Sequence, residues 1–232
     1  MAVAIDILDM VRCGELRPGS PLPNEADLCA RFTASRTRVR EAVKFLQGRG
    51  FLRVEHGRGT WVEPVEHWDL MDPELWLTAL TTGNRSALIR DLVDIRRMLE
   101  LRIVQLATHN RTPEQLVQLE QDFSEMQANL SEDDQVAFNK TSRHFHDQLA
   151  IASGNVLLLK LSRSLHQALE LTKQSSGGST DVLRLSLRGH EAILKAMQNG
   201  DSEEAAKAML QHLVDFEKTV RKPSDERLSN VI

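Results

Sequence analysis

The chain is poor in cysteine, with only Cys13 and Cys29, and it has no long apolar run and no strand-like alternation beyond about residue 65. Each absence excludes something. A membrane-spanning helix needs about 20 predominantly apolar residues, and no stretch approaches that length. No Lys or Arg precedes Arg12, while Asp6 and Asp9 fall early, so the N-terminus is not expected to be a secretory signal. The two cysteines match no metal or redox spacing. A Cys13–Cys29 disulfide and two buried free thiols are both open at this point, and a reducing cytosol favours the thiols.

What is present is ordinary for a globular protein: 232 residues, 41% apolar and 27% charged, enough for one large domain or two small ones. The net charge of −4 would argue against nucleic-acid binding if it were evenly spread, but it is not. Residues 1–65 hold ten Lys or Arg against eight Asp or Glu, and 31–58 hold eight against two. A local basic cluster is what phosphate contacts require, because each contact releases condensed counterions. A merely solvated face would have the same composition.

Periodicity divides the chain near residue 65. Residues 3–13 read as a helix stopped by Gly14 and the turn Arg17-Pro18-Gly19. Asn24 and Ser35 are N-cap residues for two more helices, and the second puts Val39, Val43 and Leu46 on one face and Arg36, Arg40 and Lys44 on another. Two short strands, Phe51–Glu55 and Thr60–Glu63, flank His56-Gly57-Arg58-Gly59, a hairpin connection in which glycine supplies positive φ. Three helices and a hairpin in about 60 residues form a winged helix-turn-helix pattern. Beyond a connector at 66–84, six helices are predicted, at 85–109, 113–129, 132–153, 155–175, 180–199 and 201–221, with Pro113 opening the second. The fold class is therefore mainly α: a winged helix-turn-helix over 1–65, a linker over 66–84, an all-α helical bundle over 85–222 and a frayed tail over 223–232.

The segment Pro18-Gly19, Leu22-Pro23-Asn24-Glu25, Leu28, Phe32, Ser35 to Ala42, Leu46, Gly50 and Gly57-Arg58-Gly59-Thr60 resembles the DNA-binding domain of GntR-family regulators of the FadR group. The resemblance implies DNA contacts by Ser35, Arg36, Thr37, Arg38 and Arg40 on the recognition helix and by His56, Gly57 and Arg58 at the wing. Chemistry agrees with this: a helix N-terminus can hold a phosphate, and Arg36 and Arg40 can reach a guanine edge bidentately. One position that is Arg in some relatives is Ala26 here.

Downstream, Arg96-Arg97-Met98-Leu99-Glu100, Phe138, Phe145-His146, Leu149, Ser153-Gly154-Asn155, His190-Glu191, Ile193, Gly200-Asp201, Ala205, Met209 and His212-Leu213 occur in the order of the helical FCD sensor domain. That resemblance implies a divalent metal held by His146, His190 and His212, with Ser142 standing where an Asp is usual. Ser142 is four residues before His146 and shares its helix face. Losing the carboxylate weakens an octahedral site, while three imidazoles still suit Zn²⁺. The bland reading is that these histidines are structural. Arg96 is either a plain i,i+4 ion pair with Glu100 or the clamp for an effector carboxylate.

The connector Trp68-Asp69-Leu70-Met71-Asp72-Pro73 with Leu75-Trp76 is similar to the tryptophan-containing linker of galactonate-responsive repressors in this group. The expected function follows from these resemblances. The chain reads as a cytoplasmic homodimeric repressor that binds an operator in double-stranded DNA and is released by a small carboxylate, such as an aldonate or uronate. Two rivals stand beside it: a metal-dependent hydrolase-like enzyme, and a DNA-binding protein whose helical domain only dimerises. Against the enzyme, no Glu or Asp stands near His146 or His212 in a known general-base motif, and Glu191 beside His190 occupies an adjacent helix position, which faces a different way.

Overall fold

A computed structural model describes residues 2–55, 57–172 and 180–220. The expected break at Ser176–Ser179, the end of the fourth bundle helix and the tail at 223–232 lie outside the described residues. The chain divides into two compact units, 1–90 and 91–232.

The first unit opens with α1 (Ala2–Arg12), α2 (Glu25–Phe32) and α3 (Arg36–Gly48), followed by strands β1 (Leu52–Glu55) and β2 (Gly59–Val62). Asn24 caps α2 by accepting the Asp27 N–H, and Ser35 caps α3 by accepting that of Arg38. The antiparallel hairpin pairs Leu52 with Val62 and Glu55 with Gly59. The segment before α2 also pairs with it: Gly19 N–H donates to Val62 O, Val62 N–H to Ser20 O and Leu22 N–H to Thr60 O, all at 2.8–2.9 Å. The outer edge of β2 is thereby covered, a pairing that no periodicity in 17–22 announces.

Residues 66–84, expected as a linker, are packed structure. A 3-10 turn (Val65–His67) leads to α4 (Pro73–Ala79), capped by Asp72. Val65, Trp68, Leu75 and Ala79 join the core built by Ile7, Leu8, Leu28, Leu46 and Phe51. Trp68 tilts against Phe51 with ring centroids 4.7 Å apart and donates its indole N–H to Glu63 O. The aromatic residues thus bury their area while the polar handle is satisfied. Cys13 and Cys29 are free, but Cys13 is exposed and Cys29 half-buried, so the expectation of two buried thiols is corrected.

Helix α5 (Arg85–Asn110) contains the division between the units; α6 (Pro113–Ser131), α7 (Gln135–Ala152), α8 (Val156–Thr172), α9 (Thr180–Gln198) and α10 (Ser202–Val220) complete the bundle. Pro113 opens α6 behind a Thr112–Gln115 capping box. Ile103, Val104, Phe138, Phe145, Leu149, Ile193, Met197 and Met209 form the second core. Among the described residues no helix is long and apolar enough to cross a membrane.

Candidate functional site

The first candidate surface is the solvent side of α3. Val39, Ala42 and Leu46 are buried in the head, and the 3.6-residue period therefore turns Ser35, Arg36, Thr37, Arg38 and Arg40 outward, all of them exposed. Gly57 (φ 75°) and Arg58 lie exposed at the wing tip; His56 lies outside the described residues. A groove of about 570 Å³ runs between α2, α3 and the hairpin, bordered by Glu25, Arg40, Lys44, Gln47 and Arg58. Glu25 accepts from Arg40 Nε at 2.6 Å and lies 3.9 Å from Arg36 Nε. That hydrogen bond holds the Glu25 carboxyl below its usual pKa and Arg40 above its own. Sequence reading passed over Glu25 as a partner, since a helix-start acid needs no other reason to be there.

The second site lies inside the bundle. His146 on α7, His190 on α9 and His212 on α10 are buried, with one ring nitrogen from each within 4.8 Å of the others. The three histidines expected from sequence thus meet in space. The His190 and His212 rings are 4.4 Å apart, and His146 is 5.4 Å from each.

Their tautomers follow from their partners. His190 Nδ1 is 2.8 Å from Ser186 O; a carbonyl can only accept, so the proton sits on Nδ1 and Nε2 keeps a lone pair, with Ser142 Oγ 3.2 Å away. His146 Nδ1 is 3.2 Å from Glu100 Oε2, which leaves Nε2 as a buried nitrogen without a hydrogen-bond partner. Burial, reinforced by the charge of its neighbours, pushes His190 down to about 3 and His212 well below the usual imidazole value, so both are neutral at physiological pH. Neutral buried imidazoles with unshared nitrogen lone pairs form a donor set that fits a divalent cation.

Glu100 is the hub that sequence reading missed. Besides His146, it lies 2.8 Å from His166 Nε2 and 3.8 Å from Arg96 Nε. Burial opposes its ionisation, but His146 and His166 outweigh that and hold the carboxyl well below the usual range. Arg96 is buried and stands 3.8 Å from Glu100, the geometry of the i,i+4 ion pair that the spacing allowed. Its guanidinium also sits over the Phe216 ring at 4.9 Å. His166 on α8 gave no signal, since one His among Leu165, Ala168 and Leu169 reads as an ordinary face. Arg96, Glu100 and His166 line a narrow slot with no room for a water molecule. Another, of about 20 Å³, lies beside His212 and Phe216.

Gly189 was also missed. A Cβ there would stand 2.9 Å from His212 Cβ and Cγ. Replacing an interior helix glycine by alanine normally stabilises by about 1 kcal/mol. Here the sign should invert, because the imidazole must move: Gly189→Ala is expected to cost about 1–3 kcal/mol as overpacking, seen as a lower thermal midpoint. A raised midpoint would show that α9 and α10 do not approach so closely.

Comparison with known proteins identifies both domains. Residues 2–62 match the model of bacterial regulatory proteins of the gntR family, and 91–215 match the FCD domain. The galactonate operon transcriptional repressor of Escherichia coli (strain K12) is 30% identical over 200 residues, covering 85% of this chain and 86% of the relative. The HTH-type transcriptional regulator LutR of Bacillus subtilis (strain 168) is 30% identical over 214 residues, covering 90% and 94%. A solved GntR structure from Streptococcus agalactiae superposes with a TM-score of 0.55 at 27% identity, covering 94% of this chain and 98% of that one. These relatives are transcription regulators, which overrules the enzymatic rival: the protein is not an enzyme. The chain belongs to the gntR family of bacterial regulatory proteins, a DNA-binding transcription regulator whose winged helix-turn-helix is followed by an FCD domain.

Proposed function

We propose that this regulator is a cytoplasmic repressor released when a small carboxylate, of the sugar-acid class, binds in the buried histidine cluster. The observation that carries this reading is the convergence of His146, His190 and His212 beside Arg96, with a His146 nitrogen left unpartnered. The three histidines would hold Zn²⁺, whose open position would polarise and bind a carboxylate oxygen. Glu100 fixes the His146 tautomer, as carboxylates behind metal-bound histidines do. Arg96 stands close enough to Glu100 that an incoming carboxylate would share its charge. The effector lowers operator affinity only in so far as it binds the DNA-free state better than the DNA-bound one. The relative named for a galactonate operon supports the sugar-acid class of effector.

Dimerisation is supported by an apolar face on the second unit. Ile95 and Met98 on α5 and Leu157 and Leu161 on α8 are exposed, and these helices are neighbours, since Arg96 and Leu99 share a slot with Ser162 and Leu165. Apolar side chains at i,i+3 and i,i+4 spacing on adjacent helices mark an association surface. A two-fold dimer then calls for an operator with two half-sites.

Metal analysis of purified protein tests the site. About one zinc per chain is expected in the wild type and none in His146→Ala or His212→Ala; a metal-free wild type after reconstitution would make the histidines structural. The DNA face is tested separately, on duplexes selected from a random library. Arg36→Ala and Arg40→Ala should each weaken the selected duplex about 10- to 100-fold, the ~1–3 kcal/mol of a bidentate base contact. Unchanged affinity in both would move recognition away from α3.

A further inference from the structure

The buried site has a charge that its own side chains do not balance once a divalent ion enters. Arg96 and Glu100 are both buried and 3.8 Å apart, so they cancel. His146, His190 and His212 must be neutral to ligate. Among the described residues the other polar groups at the cluster supply no negative charge: the His166 imidazole beside Glu100, the Ser186 carbonyl and the hydroxyl of Ser142, 3.2 Å from His190 Nε2. Other carboxylates near the two slots already have cations: Asp215 pairs with Lys218, Glu217 with Arg97, Glu170 with Arg143 and Asp147 with Arg163. A divalent ion therefore leaves two positive charges without compensation in a low-dielectric interior, where an unpaired charge is strongly disfavoured.

We infer that the effector is a dianion, a small dicarboxylate of the sugar-diacid or hydroxy-diacid type, and that the neutral Ser142 sets this requirement. The inference rests on the metal reading above. Two carboxylates neutralise the ion, whereas a monoacid leaves one charge buried and unpaired. It follows that metal and diacid bind cooperatively, each lowering the electrostatic cost of the other. A carboxylate introduced at position 142 would supply one of the two negative charges and leave room for a monoacid.

The test uses the zinc-loaded full chain and two pairs of acids that share a skeleton, galactarate with galactonate and malate with lactate. Titration calorimetry should show the diacid of at least one pair binding ten-fold or more tighter than its monoacid partner. In Ser142→Asp that preference should fall within three-fold, and zinc without any acid should be retained more strongly against a chelator. Equal or tighter binding of the monoacids by zinc-loaded wild type overturns the inference, as does binding of neither diacid or a diacid preference that Ser142→Asp leaves unchanged. Metal analysis of the same samples separates the two failures. Zinc retained with monoacids preferred sinks the inference alone, and zinc not taken up sinks the metal reading together with it.

Discussion

Glu100→Ala is expected to destabilise the second unit by about 3–5 kcal/mol, the range for removing one partner of a buried ion pair. The carboxylate is 1% exposed and serves Arg96, His146 and His166 at once. Its loss leaves a buried guanidinium without a counter-charge and frees two imidazoles, so the penalty is mostly that of orphaned groups. At about 2–4 °C per kcal/mol for a unit of this size, the thermal midpoint should fall by roughly 10 °C. Glu191→Ala is the control, because Glu191 pairs with Lys195 on the same helix at 2.6 Å on the surface. Exposed i,i+4 pairs contribute about 0.3–0.5 kcal/mol, so this variant should melt within 1–2 °C of wild type. Similar small shifts for both would mean that water reaches Glu100 freely and that Arg96 finds another partner.

In the first unit the largest effect is expected at Gly50. Its φ is +71°, a left-handed conformation that costs a non-glycine residue about 1–2 kcal/mol. Space is the second constraint: an added Cβ would overlap the carbonyl oxygen of His67 and lie 3.0 Å from its carbonyl carbon. That carbonyl belongs to the 3-10 turn that lies over the end of α3, held there by Asp69 N–H donating to Arg49 O at 2.8 Å. Backbone cannot rotate away as a side-chain tip does, so overpacking adds about 1–3 kcal/mol. Gly50→Ala should therefore cost about 2–5 kcal/mol in all and loosen the Trp68–Phe51 contact, a change visible in tryptophan fluorescence. Gly14→Ala isolates the backbone part, since Gly14 has φ +81° with open space around its Cβ position. If the two variants melted together, the approach of His67 to Gly50 would be disproved.

The sequence by itself determined the pattern of elements. Caps at Asn24 and Ser35, the helix-opening Pro113, the glycines of the wing and the apolar seams were legible because they are local: a side chain bonds nearby backbone, a ring presets φ, or a face repeats every 3.6 residues. The outward direction of Arg36 and Arg40 follows from Val39 and Leu46 facing in, and the order of the three histidines could be read along the chain. Only the tertiary structure decided which distant residues meet. Nothing near residue 100 says that Glu100 will touch His146 and His166, because helix periodicity gives a face but not the rotation of its neighbour. Gly189 carries no signal along the chain, and only the packing of α10 brings His212 against it. Residues 66–84 looked like a linker because their pattern is mixed, and they are structured because Trp68 and Leu75 find apolar area in a core built by residues 17 to 68 positions away, from Phe51 to Ile7. Contacts at that distance depend on shape and burial, which a one-dimensional period does not encode.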